Sequence, residues 1–137
     1  MKRILKWLHP LVLVLTLGVT QGCALLLIGA GAGAAVGVVS YVDNELRVTH
    51  EVPLDRAWAA ANGAMRELEF TVIPAETRKD GLGGIVQGRN AQSQTVRIQL
   101  VRQTDQTTEI RLRVGEFDTA ANQAAVQRLY ARLKARL

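Results

Sequence analysis

The chain carries one cysteine, two histidines and two serines in 137 residues. The lone thiol, Cys23, excludes an internal disulfide. Beyond the first 42 residues the only histidine is His50, and no second histidine or cysteine completes a zinc ligand set with it. It falls on the inward face of a predicted strand and reads as a core or edge residue. Ser40 lies in an apolar run and Ser93 in a turn-like stretch, neither within a nucleophile motif. Gly81-Leu82-Gly83-Gly84 lacks the lysine and following helix of a phosphate loop and reads as a turn. Aromatic residues are 4% of the chain, which argues against a platform for stacking bases or sugars. No catalytic constellation, metal site or cofactor motif is present, and the expectation is a protein that is not an enzyme.

Acidic residues are absent before Asp43. Met1 to Trp7 holds Lys2, Arg3 and Lys6, and Leu11 to Val19 is an apolar run broken by Thr16 and Gly18. Small or uncharged residues then lead to Gly22-Cys23. This is the architecture of an export signal. Val19-Thr20-Gln21-Gly22-Cys23 resembles the lipobox of bacterial lipoproteins, which is cut before a cysteine carrying diacylglycerol. Thr20 stands where Leu is usual there, and Gln21 where Ala or Ser is. Cys23 is therefore the expected lipid-attachment residue and Gly22–Cys23 the expected cleavage bond. Two other readings stay open. The segment could remain uncleaved as a membrane anchor, or an ordinary signal peptidase could cut at the A-x-A sites within Ala30 to Ala34.

Cleavage before Cys23 leaves 115 residues, enough for one domain. The whole chain has a net charge of +5, and the signal takes three basic residues with it. The remaining 14 basic and 12 acidic residues give +2, too little for a nucleic-acid binder. The expected organisation is a signal over 1–22, a Gly/Ala-rich apolar tether over 23–42 and a globular domain over 43–137. Ala24 to Val42 has no charge, and Gly29, Gly33 and Gly37 recur every fourth residue. On a helix they would form one smooth stripe, a candidate packing face in lipid; the alternative is a plain tether.

The remainder alternates between two periods. Asn44 to Val52 has period two, with Leu46, Val48, His50 and Val52 inward. Leu54 to Glu69 has helical period, with Leu54, Ala57, Trp58, Ala61, Met65 and Leu68 on one stripe. Phe70 to Thr77 predicts a strand with Pro74 at an edge or bulge, and Arg78 to Gly81 a turn. Strands follow over Gly84 to Asn90, Thr95 to Arg102 and Thr108 to Gly115. Asp118 is the expected cap of a last helix, with Ala121, Ala125, Val126, Leu129, Tyr130, Leu133 and Leu137 on its apolar side. One-faced strands need a cover, and two amphipathic helices supply it. The expectation is a two-layer α+β domain with a mostly antiparallel sheet of four to five strands.

One surface stands out. Pairing Ile98 with Leu112 places Arg97 opposite Arg113 on the outward face, with Arg111 beside them. Like charges directly opposite cost stability. The face is either ordinary solvated surface or a candidate anion-binding site formed by Arg97, Arg111 and Arg113. Arg128, Arg132 and Arg136 on the last helix form the alternative basic surface.

From Gly22-Cys23 and the Leu/Gly/Ala run, through Tyr41-Val42, Glu45-Leu46, Leu54-Asp55-Arg56-Ala57-Trp58, Glu67-Leu68-Glu69-Phe70-Thr71-Val72, Val96-Arg97-Ile98 and Ile110-Arg111-Leu112-Arg113-Val114-Gly115, the chain resembles a family of small bacterial lipoproteins of unknown function. Glu69 stands where that family usually has Gly. The resemblance implies residence in the Gram-negative envelope and transfers no catalytic residue. The order of elements also resembles the helix-grip domains of an outer-membrane assembly lipoprotein, at the level of fold. Ala24 after the cysteine favours the outer membrane over the inner. The expected role is a non-enzymatic structural or interaction module facing the periplasm, with a protein partner or, alternatively, an anionic envelope lipid.

Overall fold

A computed structural model describes residues 36–137. The signal segment, Gly22, Cys23, Gly29 and Gly33 lie outside the described residues. An apolar run and an alternating one meet at Asp43-Asn44, both with positive φ, 51° and 60°. Two such residues between paired strands make the tight turn whose twist suits a hairpin. Strand β1 (Val36–Val42) thus folds back on β2 (Glu45–His50), with Tyr41 opposite Leu46 and Val39 opposite Val48. The sheet begins seven residues before the expected domain start at Asp43. Gly37 lies in β1, not on a helix. The helical glycine stripe therefore does not extend to it, because the turn chemistry at Asp43-Asn44 commits the preceding residues to strand pairing.

Helix α1 (Leu54–Glu67) follows, then β3 (Thr71–Val72), a 3-10 turn over Pro74–Glu76, β4 (Arg78–Lys79), β5 (Gly83–Arg89), β6 (Thr95–Thr104), β7 (Thr107–Val114) and helix α2 (Ala120–Lys134). All pairings are antiparallel, in the order β1-β2-β7-β6-β5-β3, with β4 also on β5. The fold is the expected two-layer α+β arrangement, with seven strands in place of four to five. β1 is one addition. The run Phe70 to Thr77 is cut short to Thr71–Val72, because Pro74 has no N–H for a ladder and starts a helical turn instead, and β4 is the other addition: Arg78–Lys79, expected as part of a turn, pairs with β5.

The inward residues are those the alternation selects. Leu46, Val48, Val96, Ile98, Leu100, Ile110, Leu112 and Val114 are buried beneath Ala57, Ala61 and Met65 of α1 and Val126, Leu129 and Leu133 of α2. Burial at about 25 cal/mol per Å² of apolar surface drives this two-layer closure. α1 lies close over β5 because the strand offers glycines beneath it. A Cβ at Gly84 would meet the Trp58 ring at 2.8 Å, and one at Gly88 would meet Met65 Cε at 2.7 Å. Thr108, also inward, donates to the carbonyl of Val52 at 2.9 Å and ties the start of β7 to the entry of α1.

Two helix ends differ from expectation. Thr119, not Asp118, caps α2: its hydroxyl accepts from the Asn122 amide at 3.2 Å. The helix starts one residue later than an Asp118 cap would require. Asp118 instead accepts from Gln123 Nε2 at 2.8 Å. Ala121 is exposed and Asn122 buried in that first turn, because Asn122 has polar partners waiting, Phe117 O and Gln94 Nε2.

At the end of α1 the Phe70 amide donates to Met65 O at 2.9 Å and the Glu69 amide to Arg66 O at 3.0 Å. This is the Schellman arrangement, which asks for a left-handed residue at Glu69. Its φ is 57°, where a side chain is strained and glycine is at ease. Glu69→Gly should therefore stabilise the protein by about 1 kcal/mol, read as a raised thermal midpoint. An unchanged or lowered midpoint would count against strain at this residue.

Candidate functional site

The free face of the sheet carries two rows of side chains across neighbouring strands. In one, Arg47 of β2 faces Arg111 of β7, which faces Gln99 of β6. In the next, Arg113 faces Arg97, which faces Gln87 of β5. Ile98 does pair with Leu112, so Arg97 and Arg113 stand directly opposite one another as the alternation required. Four guanidinium groups thus gather on three adjacent strands.

Their charges are not equally available. Arg111 Nε donates to Glu109 Oε1 at 2.6 Å, and Arg47 Nε to Glu45 Oε1 at 2.7 Å. Each is neutralised two residues along its own strand. Among the described residues, neither Arg97 nor Arg113 has a carboxylate partner. Arg113 donates through Nη2 to the backbone oxygen of Asp43 at 3.1 Å. Its Nε is buried with no partner. An unsatisfied buried donor is costly. Of the expected trio Arg97, Arg111 and Arg113, Arg111 alone has a carboxylate partner among the described residues.

Arg97 and Arg113 border a shallow cavity of about 200 Å³ lined by Gln87, Thr95, Arg97, Arg113, Gly115 and Glu116. Glu116 puts one carboxylate among the lining groups. A neighbouring cavity of about 370 Å³ shares Thr95, Gly115 and Glu116 and adds Arg89 and Phe117. Phe117 is 73% exposed, so an apolar surface lies beside the cations. Each guanidinium presents a fork of donors suited to carboxylate or phosphate oxygens. The arrangement can hold a small anion with an apolar attachment. Arg89 and Phe117 escape sequence reasoning. Arg89 sits in a glycine-containing strand of faint alternation, and Phe117 in the loop between strand and cap, where no period applies.

This end of the sheet is held by a polar clamp. Asn44, buried in the turn, donates to Val114 O at 3.1 Å and accepts from the Tyr41 hydroxyl at 2.9 Å. Gly115 follows with φ of 69°, and a Cβ there would meet Asn122 Nδ2 at 2.5 Å. The hairpin turn, the end of β7 and the start of α2 are thus fixed around Arg113. Burial, and then Asp118, push the Tyr41 hydroxyl above its ordinary pKa.

The alternative basic surface, Arg128 and Arg132 on α2 and Arg136 just past its end, is largely spent internally. Arg132 reaches Glu67 Oε1 at 3.0 Å and Arg136 reaches Glu67 Oε2 at 2.7 Å. Those bonds, that of Arg136 first, hold the Glu67 carboxyl below the usual range. Arg128 lines a separate cavity of about 210 Å³ with Glu69 and Phe70.

His50 lies on the inward face as expected and is 1% exposed. Its Nε2 is 3.1 Å from the Tyr130 hydroxyl, and its Nδ1 has no partner. Among the described residues no three metal-ligating side chains come together.

A family model described as "Protein of unknown function (DUF3568)" matches residues 6–133. No curated protein matches the chain.

Burial, with Lys134 as a second cause, lowers the His50 pKa below its ordinary value. The unfolded chain then binds a proton more readily than the folded one. Stability contributed by the neutral ring is complete above about pH 6.5 and is lost as pH falls from there toward the lower folded value. Thermal midpoints should drop between pH 7 and pH 5, and His50→Gln should flatten that slope. An equal slope in wild type and variant would contradict the assignment.

Proposed function

The chain belongs to this family of proteins of unknown function, and on that premise we propose that it is a non-enzymatic, lipid-anchored module of the bacterial cell envelope. It is attached through Cys23 and faces the periplasm. The support for the anchor is the order of its parts in the sequence: a basic start, an apolar run, and the only cysteine immediately after small and uncharged residues. Ala24 favours the outer membrane over the inner. Among the described residues no helix is long and apolar enough to cross a membrane. The compact unit Ala34–Leu137 begins shortly after Cys23 and carries its own core.

The module acts by binding. The observation that carries this reading is the Arg97–Arg113 pair, opposed across two strands without a carboxylate partner. Its occupant is an anionic group on an envelope partner. The exposed Phe117 beside the arginines favours a second, narrower reading, an anionic envelope lipid whose headgroup takes the guanidiniums and whose apolar part meets the ring.

The anchor is tested by intact mass and lipid labelling of the protein from bacterial membranes. Wild type should begin at an acylated Cys23 and need detergent for release, since two or more chains at about 0.8 kcal/mol per buried CH₂ hold firmly. Cys23→Ala should lose the label. A wild-type chain starting after Ala32 or Ala34 would refute the anchor.

The face is tested with Ala34–Leu137, which keeps β1, and vesicles containing anionic lipid. Arg97→Glu combined with Arg113→Glu should abolish co-sedimentation at low salt, an interaction screened over about 10 Å at 0.1 M. Binding that survives the double reversal would place the site elsewhere.

A further inference from the structure

The two edges of the sheet are built differently. At one edge β3 and β4 have two residues each, Pro74 starts the turn between them, and β4 is Arg78-Lys79. Short strands, proline and cations are the devices that keep an edge from pairing with another chain. At the other edge β1 runs for seven residues, Val-Gly-Val-Val-Ser-Tyr-Val, without charge or proline. Among the described residues β1 pairs only with β2, and no other described strand lies beside its outer side. Val39 is 44% and Val42 50% exposed. Their partners in register, Val48 and Glu45, put them on opposite faces, so both layers stay incomplete at this edge.

We propose that β1 pairs with β1 of a second copy of this chain, antiparallel about a two-fold axis, to form one continuous sheet. The composition of the strand selects that occupant. A strand that carries no charge can meet itself across a two-fold without opposing like charges, which would be destabilising. The contact is self-complementary and closes at two copies. It also continues the rule of the sheet, in which every existing pairing is antiparallel.

The register follows from the pleat. Directly opposed residues of antiparallel strands share a face, so the axis must fall on a residue. A bulge between Val36 and Val39 bends the start of the strand, leaving the later part for pairing. Centring the axis on Ser40 sets Val39 opposite Tyr41 of the second copy, on the helix side, which covers the exposed valine. Because the axis is normal to the sheet, both helix layers lie on one side and both arginine faces on the other. The basic surface is doubled in one plane.

The test uses the full chain in detergent. Ser40→Cys, treated with a short thiol cross-linker, should give a covalent dimer. Leu82→Cys, at the β4–β5 turn and 79% exposed, should not, and wild type reports any contribution of Cys23. Light scattering should give the mass of two copies for wild type. Val39→Lys with Val42→Lys, which adds the protection this edge lacks, should give one copy with the thermal midpoint retained. A monomeric wild type, or cross-linking of Ser40→Cys no stronger than that of Leu82→Cys, would overturn the proposal. So would a monomer whose β1 cross-links instead to a different protein.

Discussion

Strand β6 runs against β7 in a single register, Ile98 facing Leu112, and the other parts of the molecule take their places from it. With that pairing set, Val96, Ile98, Leu100, Ile110, Leu112 and Val114 all point to the helices and are buried. The same pairing forces Arg97 and Arg113 into adjacent outward positions. A slip of one residue would turn the apolar set to water and the arginines into the core. The charged face is thus the obverse of the apolar one. Repulsion between the two guanidiniums is tolerated because the burial behind them is larger. β2 extends the register on one side and β5 on the other, and the glycines of β5 let α1 settle close enough to close the layer.

Much of this was legible from alternation alone. The inward sets of β2, β6 and β7, the two helices and the Ile98–Leu112 pairing follow from periods of two and 3.6, because burial on one face is what those periods record. Alternation does not disclose β1, although the turn that follows it does. Asp43-Asn44 is hairpin chemistry, but the apolar composition of Ala24 to Val42 leaves no period before it, because every position looks inward. The strands before β5 differ from expectation for other reasons: Pro74 turns part of one expected strand into a helical turn, and Arg78–Lys79, in an expected turn, is long enough to pair with β5. The α2 cap was displaced by a single residue because Asp118 and Thr119 both suit the position, and only the side-chain partners of Asn122 decide between them.

The candidate site was half legible. Position on a face follows from the pleat, so the three arginines could be placed together. Neutralisation does not, because it depends on whether a glutamate two residues away takes up the guanidinium, as Glu109 does for Arg111 and Glu45 for Arg47. Arg113 also takes its backbone partner from a turn, Asp43-Asn44, that lies 70 residues away in sequence. Family membership adds no reaction to this picture. The interaction reading rests on one departure from ordinary surface design, a cation pair on a sheet face that has no carboxylate partner among the described residues.

If the pair is kept for an anionic partner and not for the fold, reversing one member should separate stability from binding. Arg97→Glu replaces a repulsive cross-strand pair with an attractive one, a change of about 0.2–1 kcal/mol per pair. The decisive measurement is the thermal midpoint of Arg97→Glu beside its affinity for anionic vesicles. The account predicts a raised midpoint with weakened binding. A lowered midpoint with binding intact would show that Arg97 serves the fold, and would contradict the account at its centre.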